Sequence, residues 1–191
     1  MKGKDMVNYT STEHLRNGWS VTIRAIRPDD KGSMIDALGK VSPQSLYLRL
    51  FSGKRKFSDD EMIQITTVDF ANIVALVAVL DEDGLDKIVG GGRYIRIGPA
   101  GSGQRAEVAF LIDDAHQSLG IGSRLFKHLV EIARESGITH FEAEVLPANS
   151  AMLRLFARSG LPVAKTMTRD SVHVTIQLTP AEAGSLRDRS R

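Results

Sequence analysis

Cysteine is absent from all 191 residues. Its absence removes disulfides, thiolate metal ligands and a cysteine nucleophile, and it fits a reducing, cytoplasmic setting. Long apolar runs are also missing. The longest, Ile73 to Leu80, is bounded by Asn72 and Asp81, is too short to span a bilayer and reads as a buried strand. Residues 1–20 mix Lys2, Lys4, Asp5, Glu13 and Arg16 with polar groups, so no secretory apolar segment is expected there. Charge of one sign is in little excess. Twenty-five Lys and Arg stand against 23 Asp and Glu, a net charge of +2, which gives no reason to expect nucleic acid as a partner. Neither a repeat nor a low-complexity segment is present. The expectation is a chain without nucleic-acid or membrane partners.

What is present is an ordinary globular composition, 42% hydrophobic and 25% charged, with length enough for one domain and a substantial core. Residues 1–18 show no sustained periodicity and are expected to form an N-terminal arm. Val21-Thr22-Ile23-Arg24 alternates as a half-buried strand does. Arg27-Pro28-Asp29-Asp30 opens a helix through Met34, Ile35 and Leu38. Ser42-Pro43 opens a second, and Ser58 with Glu61 forms a capping box for a third. Strands follow at 72–80, 87–97 and 104–112, the last two joined by the turn Gly98-Pro99-Ala100-Gly101-Ser102-Gly103. Leu125, Phe126, Leu129, Val130 and Ala133 then fall on one helical face that ends at Ser136-Gly137. A strand at 139–146, a helix at 149–159 and strands near 161–168 and 172–178 complete a domain over 19–179, and 180–191 reads as a polar tail. The order β-α-α-α-β-β-β-α-β-α-β-β predicts an α/β (α+β) fold, one mixed sheet with helices on both faces.

The informative stretch is Ala106-Glu107-Val108-Ala109-Phe110-Leu111-Ile112, then a loop ending in Gly120-Ile121-Gly122-Ser123, then a helix. Strand, glycine loop and helix in that order make an anion site, because amides at the helix N-terminus are unpaired and partly positive. A nucleotide P-loop needs Lys and Ser/Thr after its last glycine, and Ser123-Arg124 stands there instead. A dinucleotide fold needs three spaced glycines after an early strand of a repeated unit, and that fails as well.

The segment Gln117-Ser118-Leu119-Gly120-Ile121-Gly122 resembles the Gln/Arg-x-x-Gly-x-Gly/Ala loop of the GNAT superfamily, which grips the coenzyme A pyrophosphate. Asn149, Met152, Phe156 and Gly160-Leu161 are similar to the helix that follows in that superfamily. Val21 to Asp30, Ser42 to Phe51 and Ala106 to Phe110 resemble the catalytic domain of bacterial protein lysine acetyltransferases that modify acyl-CoA synthetases. The resemblance runs from about Val21 to Leu178 and implies a mostly antiparallel GNAT-like sheet. It also implies acetyl-CoA as acyl donor and a protein lysine as acceptor. By the same resemblance, backbone groups of Phe110, Leu111 and Ile112 hold the pantetheine arm, and Gln117, Ser118, Leu119, Gly120, Ile121, Gly122 and Ser123 hold the pyrophosphate. Asn149 bonds the arm or caps its helix.

Glu107 is the expected general base: in an apolar strand a carboxylate loses hydration, which suits it to take the proton of a lysine ammonium. A solvent-facing glutamate is the alternative, and strand parity alone leaves both open. Phe156 stands where many relatives carry a tyrosine acid and cannot donate. Arg49, Tyr47 and Lys54-Arg55-Lys56 fall in the segment that lines the acceptor side in the superfamily. His14, His116, His128, His140 and His173 lack ligand spacing, so no metal is expected. Asp113-Asp114 beside His116 lacks an activated serine for a charge relay. Transfer to a small amine and acyl-CoA sensing without chemistry are the competing readings.

Overall fold

A computed structural model describes residues 6–50, 57–82, 84–98 and 104–178. The expected turn at Pro99–Gly103, the basic run Lys54-Arg55-Lys56 and the tail 180–191 lie outside them. Strands β1 (Thr10–His14), β2 (Ser20–Ala25), β3 (Ile73–Glu82), β4 (Leu85–Ile97), β5 (Arg105–Ile112), β6 (His140–Val145), β7 (Val163–Met167) and β8 (Val172–Gln177) form one open sheet in the order β1-β2-β3-β4-β5-β6-β8-β7. Each neighbouring pair is antiparallel except β5 with β6. Helices α1 (Lys31–Gly39), α2 (Pro43–Leu50) and α3 (Asp59–Thr66) lie between β2 and β3. Helix α4 (Ile121–Glu135) follows β5, and α5 (Ser150–Ala157) follows β6.

The period-2 rule sorts β3 between two cores. Val74, Leu76, Ala78 and Leu80 join Leu125, Phe126, Leu129 and Ala133 of α4 in one buried cluster. Ala75, Val77 and Val79 join Ile26, Ile88 and Ala37, with Met34 and Ile65 of α1 and α3 packed on top. Burying a side chain such as Leu129 contributes about 1.5–3 kcal/mol. Local signals set the helix ends. Ser58 Oγ accepts from Glu61 N at 3.3 Å while Glu61 Oε2 accepts from Ser58 N at 2.9 Å, the reciprocal capping box of α3. Asp30 is buried, takes both Arg24 guanidinium nitrogens (2.6 and 2.8 Å) and Arg27 N (2.8 Å), and so fixes the entry to α1.

The N-terminal segment differs from the loose arm expected of it. Thr10–His14 is an edge strand, paired from Thr10↔Arg24 to His14↔Ser20. Its sequence, Thr-Ser-Thr-Glu-His, carries no apolar alternation, since neither of its faces enters the core. The anchors lie outside the strand: Met6 and Leu15 are buried in the main cluster, and Tyr9 Oη meets His128 Nδ1 at 2.5 Å.

Candidate active site

The site opens where two strands part. β5 pairs with β4 along its whole length, from Arg105↔Ile97 to Ile112↔Gly90. Its parallel pairing with β6 covers only Arg105↔His140, Ala106↔Phe141 and Glu107↔Glu142. From Val108 onward β5 diverges from β6, which continues against β8. The backbone of 108–112 therefore presents one unpaired edge to a wedge-shaped opening, and the expected pantetheine contacts Phe110, Leu111 and Ile112 all lie on it.

A cavity of about 510 Å³ fills the wedge. β5 contributes Glu107, Val108 and Ala109, α2 contributes Leu48, Arg49 and Leu50, and α5 contributes Asn149, Met152 and Phe156. The bend before β8 closes it with Asp170 and Ser171. Ala106, Val108 and Phe110 point into the core, so Glu107 and Ala109 face the other way. The β4 register is continuous across them, which excludes a bulge and settles the parity. Glu107 lies at the mouth of the wedge, exposed rather than sunk among apolar neighbours, so the desolvation expected of it is absent.

Two arginines, Arg93 and Arg49, lie near Glu107. Arg93 sits opposite Ala109 across the β4–β5 ladder and hence diagonal to Glu107 on the same face. Arg49 reaches down from α2. Burial and the repulsion of Arg93 pull its pKa down to about 10, against the attraction of Glu107. Sequence reading had no access to Arg93, because only the register reveals it as a neighbour of Glu107.

At the other end of β5 the chain makes a short 3-10 turn, Asp114–His116, and enters the loop. Ser118 (φ 64°) and Gly120 (φ 91°) both adopt left-handed conformations and aim the loop into the first turn of α4. Glycine is required at 120, where an added Cβ would also lie 2.7 Å from Arg124 Nη1. Gly122 is different. A Cβ there would meet only Leu155 Cδ2 at 3.8 Å and Ile112 Cγ1 at 4.0 Å, ordinary contacts. The fold does not demand glycine at 122, whereas a phosphate approaching the amides of Ile121, Gly122 and Ser123 does, so these residues fit the coenzyme A pyrophosphate. Leu119 is half-buried against the core, and Gln117 Nε2 donates back to Asp114 Oδ1 at 2.8 Å.

Asn149 is the N-cap of α5: its Oδ1 accepts from Met152 N at 3.1 Å, and Nδ2 donates to Leu48 O at 3.5 Å. Phe156 is fully buried, with ring centroids 6.4 Å from Phe110 and 5.7 Å from Phe126. The five histidines do not converge, and among the described residues no group of three His, Asp or Glu is placed to hold a metal. No described helix is long and apolar enough to cross a membrane.

Residues 44–161 match the acetyltransferase (GNAT) family. The chain belongs to that family. It is an acetyl-CoA-dependent acetyltransferase with an α/β sheet of the GNAT kind. Acetyltransferase PA5475 of Pseudomonas aeruginosa is 30% identical over 166 residues, 87% of each chain. Acetyltransferase Pat of Mycolicibacterium smegmatis is 32% identical over 146 residues, 76% of this chain and 42% of that one. This GNAT chain thus spans less than half the length of that relative. Among solved structures, the GNAT domain of S. lividans PAT superposes with a TM-score of 0.80 at 34% identity, over 88% of this chain and 96% of that one.

Proposed function

We propose that this acetyltransferase modifies a protein lysine, on a target of the acyl-CoA synthetase type, by direct transfer with Glu107 as general base. The observation that carries the reading is the placement of Glu107 at the last residue pair before β5 and β6 part, in the mouth of the cavity beside the free β5 edge. Acetyl-CoA supplies an acyl thioester. The amides of Ile121, Gly122 and Ser123 hold its pyrophosphate, and the edge of Phe110, Leu111 and Ile112 aligns its arm and polarises the carbonyl. Glu107, directly or through a water, takes the proton that the lysine ammonium must lose before its nitrogen bonds the acyl carbon. As that bond forms, the carbon–sulfur bond breaks and the thiolate departs. Phe156 offers it no proton, and none is needed for so stable a leaving group. A cytoplasmic setting, where acetyl-CoA and acyl-CoA synthetases meet, accompanies this reading.

A second reading, transfer to a small amine with an apolar body, is favoured by one feature. A further cavity of about 400 Å³ lies beneath α1–α3 and shares Arg49, Leu50 and Ala109 with the wedge. Rates with lysine peptides, a folded acyl-CoA synthetase and small apolar amines separate the two.

Glu107→Gln tests the mechanism. Acetyl-CoA affinity should stay within a few-fold of the parent, while turnover near neutral pH falls by roughly 10² to 10⁴, the usual contribution of a positioned base. A variant as active as the parent near neutrality removes Glu107 from the chemistry.

A further inference from the structure

The residue that joins the two halves of the site touches neither cavity. Asp114, in the turn before the donor loop, accepts three hydrogen bonds, two from a distant helix end and one from the adjoining loop. Ser42 N donates to Oδ2 at 2.8 Å and Ser45 Oγ to Oδ1 at 2.6 Å, both from the N-terminal end of α2. Gln117 Nε2 donates to Oδ1 at 2.8 Å from the donor loop. Burial pulls the Asp114 pKa upward, but the hydrogen bonds from Ser45 and Ser42 outweigh it and hold the carboxyl below the ordinary carboxylate range. The turn itself is tied down through its neighbour. Neighbouring Asp113 is buried, its N–H donates to Val89 O of β4 at 2.9 Å, and its side chain accepts from Ala115 N at 2.8 Å.

Besides the Asp114 bonds, helix α2 is placed by packing on β5 and by Asn149 Nδ2, which donates to Leu48 O at 3.5 Å. It is eight residues long, its only buried side chain is Leu46, and it presents Leu48, Arg49 and Leu50 to the wedge. A helix this short does not hold a position by propensity. The charge-assisted hydrogen bonds to the Asp114 carboxylate, which are solvent-exposed, add to that placement.

We propose that Asp114 is a positioning residue that couples the donor loop to the acceptor-side helix: seating the pyrophosphate in the loop fixes α2, and with it Arg49 over Glu107. The proposal rests on the reading of α2 as the acceptor wall. Ser42 and Ser45 are the helix's side of the strut, and Gln117 is the loop's side.

Hydrogen exchange of residues 43–50, measured with and without coenzyme A, tests the coupling without any acceptor. In the parent, coenzyme A should slow exchange in that segment about tenfold. In Asp114→Ala, coenzyme A should still bind within about fivefold of the parent by calorimetry, but exchange in 43–50 should no longer respond. Ser45→Ala, which leaves the loop untouched, should lose part of the response, and it answers the question if Asp114→Ala does not fold. With an acceptor in hand, Asp114→Ala should raise acceptor KM about tenfold while kcat at saturation changes less than threefold. Two results overturn the proposal: a parent in which 43–50 ignores coenzyme A, or serine and aspartate variants in which it responds as in the parent. A failed lysine assay beside an intact exchange response would instead count against the acceptor reading.

Discussion

The two walls of the wedge are built on different principles. The donor wall is β5, the glycine loop and α4, a 15-residue helix with eight buried side chains, backed by the main core. It presents backbone: the free edge of β5 and the first turn of a helix. The acceptor wall is α2 with α3 behind it, eight-residue helices with one and two buried side chains, and it presents side chains. A wall of main chain, stiffened by a core, suits a ligand that never changes. A wall of side chains on short helices suits one that differs from enzyme to enzyme, and there a polar strut does the work that packing does on the other side.

That contrast can be broken at graded cost. Glu107→Gln, between the walls, carries the largest effect, the loss of turnover given above. Gly122→Glu attacks the donor wall alone. The new carboxylate takes the phosphate's place and repels it, so coenzyme A affinity should fall by about a hundredfold or more, the loss of two charge-assisted bonds. The unfolding temperature should barely move, because a Cβ at 122 meets only ordinary contacts. Calorimetric titration reads the first, and unchanged affinity would take the loop out of the site. Arg49→Met attacks the acceptor wall alone. Acceptor kcat/KM should drop about tenfold, roughly 1.4 kcal/mol, with acetyl-CoA KM constant. If both parameters move together, Arg49 does not belong to one side. The smallest effect is Ser58→Ala, which removes the cap of α3 beneath the acceptor wall. It should cost about 1 kcal/mol, seen as a few degrees in thermal unfolding, with both KM values unchanged.

The donor wall was legible in the sequence and the acceptor wall much less so, for the same physical reason. Leu125, Phe126, Leu129, Val130 and Ala133 repeat at the helical period because a core selects them, and Gly120 and Gly122 mark the loop because backbone needs show as glycine. The face of Glu107 stayed ambiguous until the unbroken register from Gly90 to Ile97 fixed it. Arg93 and Asp114 gave no usable signal. Each matters through a partner on another element, Glu107 on the next strand in one case and Ser42 and Ser45, 72 and 69 residues back, in the other, and local pattern carries no such information. The β1 strand was missed because an edge strand outside the core has no apolar rhythm to read.

The parting of β5 and β6 has a consequence for how such a protein can change over generations. On the proposed reading the grip on the donor arm is made by backbone amides and carbonyls, so replacing the side chains of Val108, Ala109 or Leu111 would rewrite the walls without erasing the grip. Only a proline, or a residue that closed the gap, would delete it. What is handed down with the fold is therefore the donor. The acceptor is free to drift, and a chain can share about a third of its residues with a relative, keep the same carrier in its notch, and deliver the acetyl group to a different address.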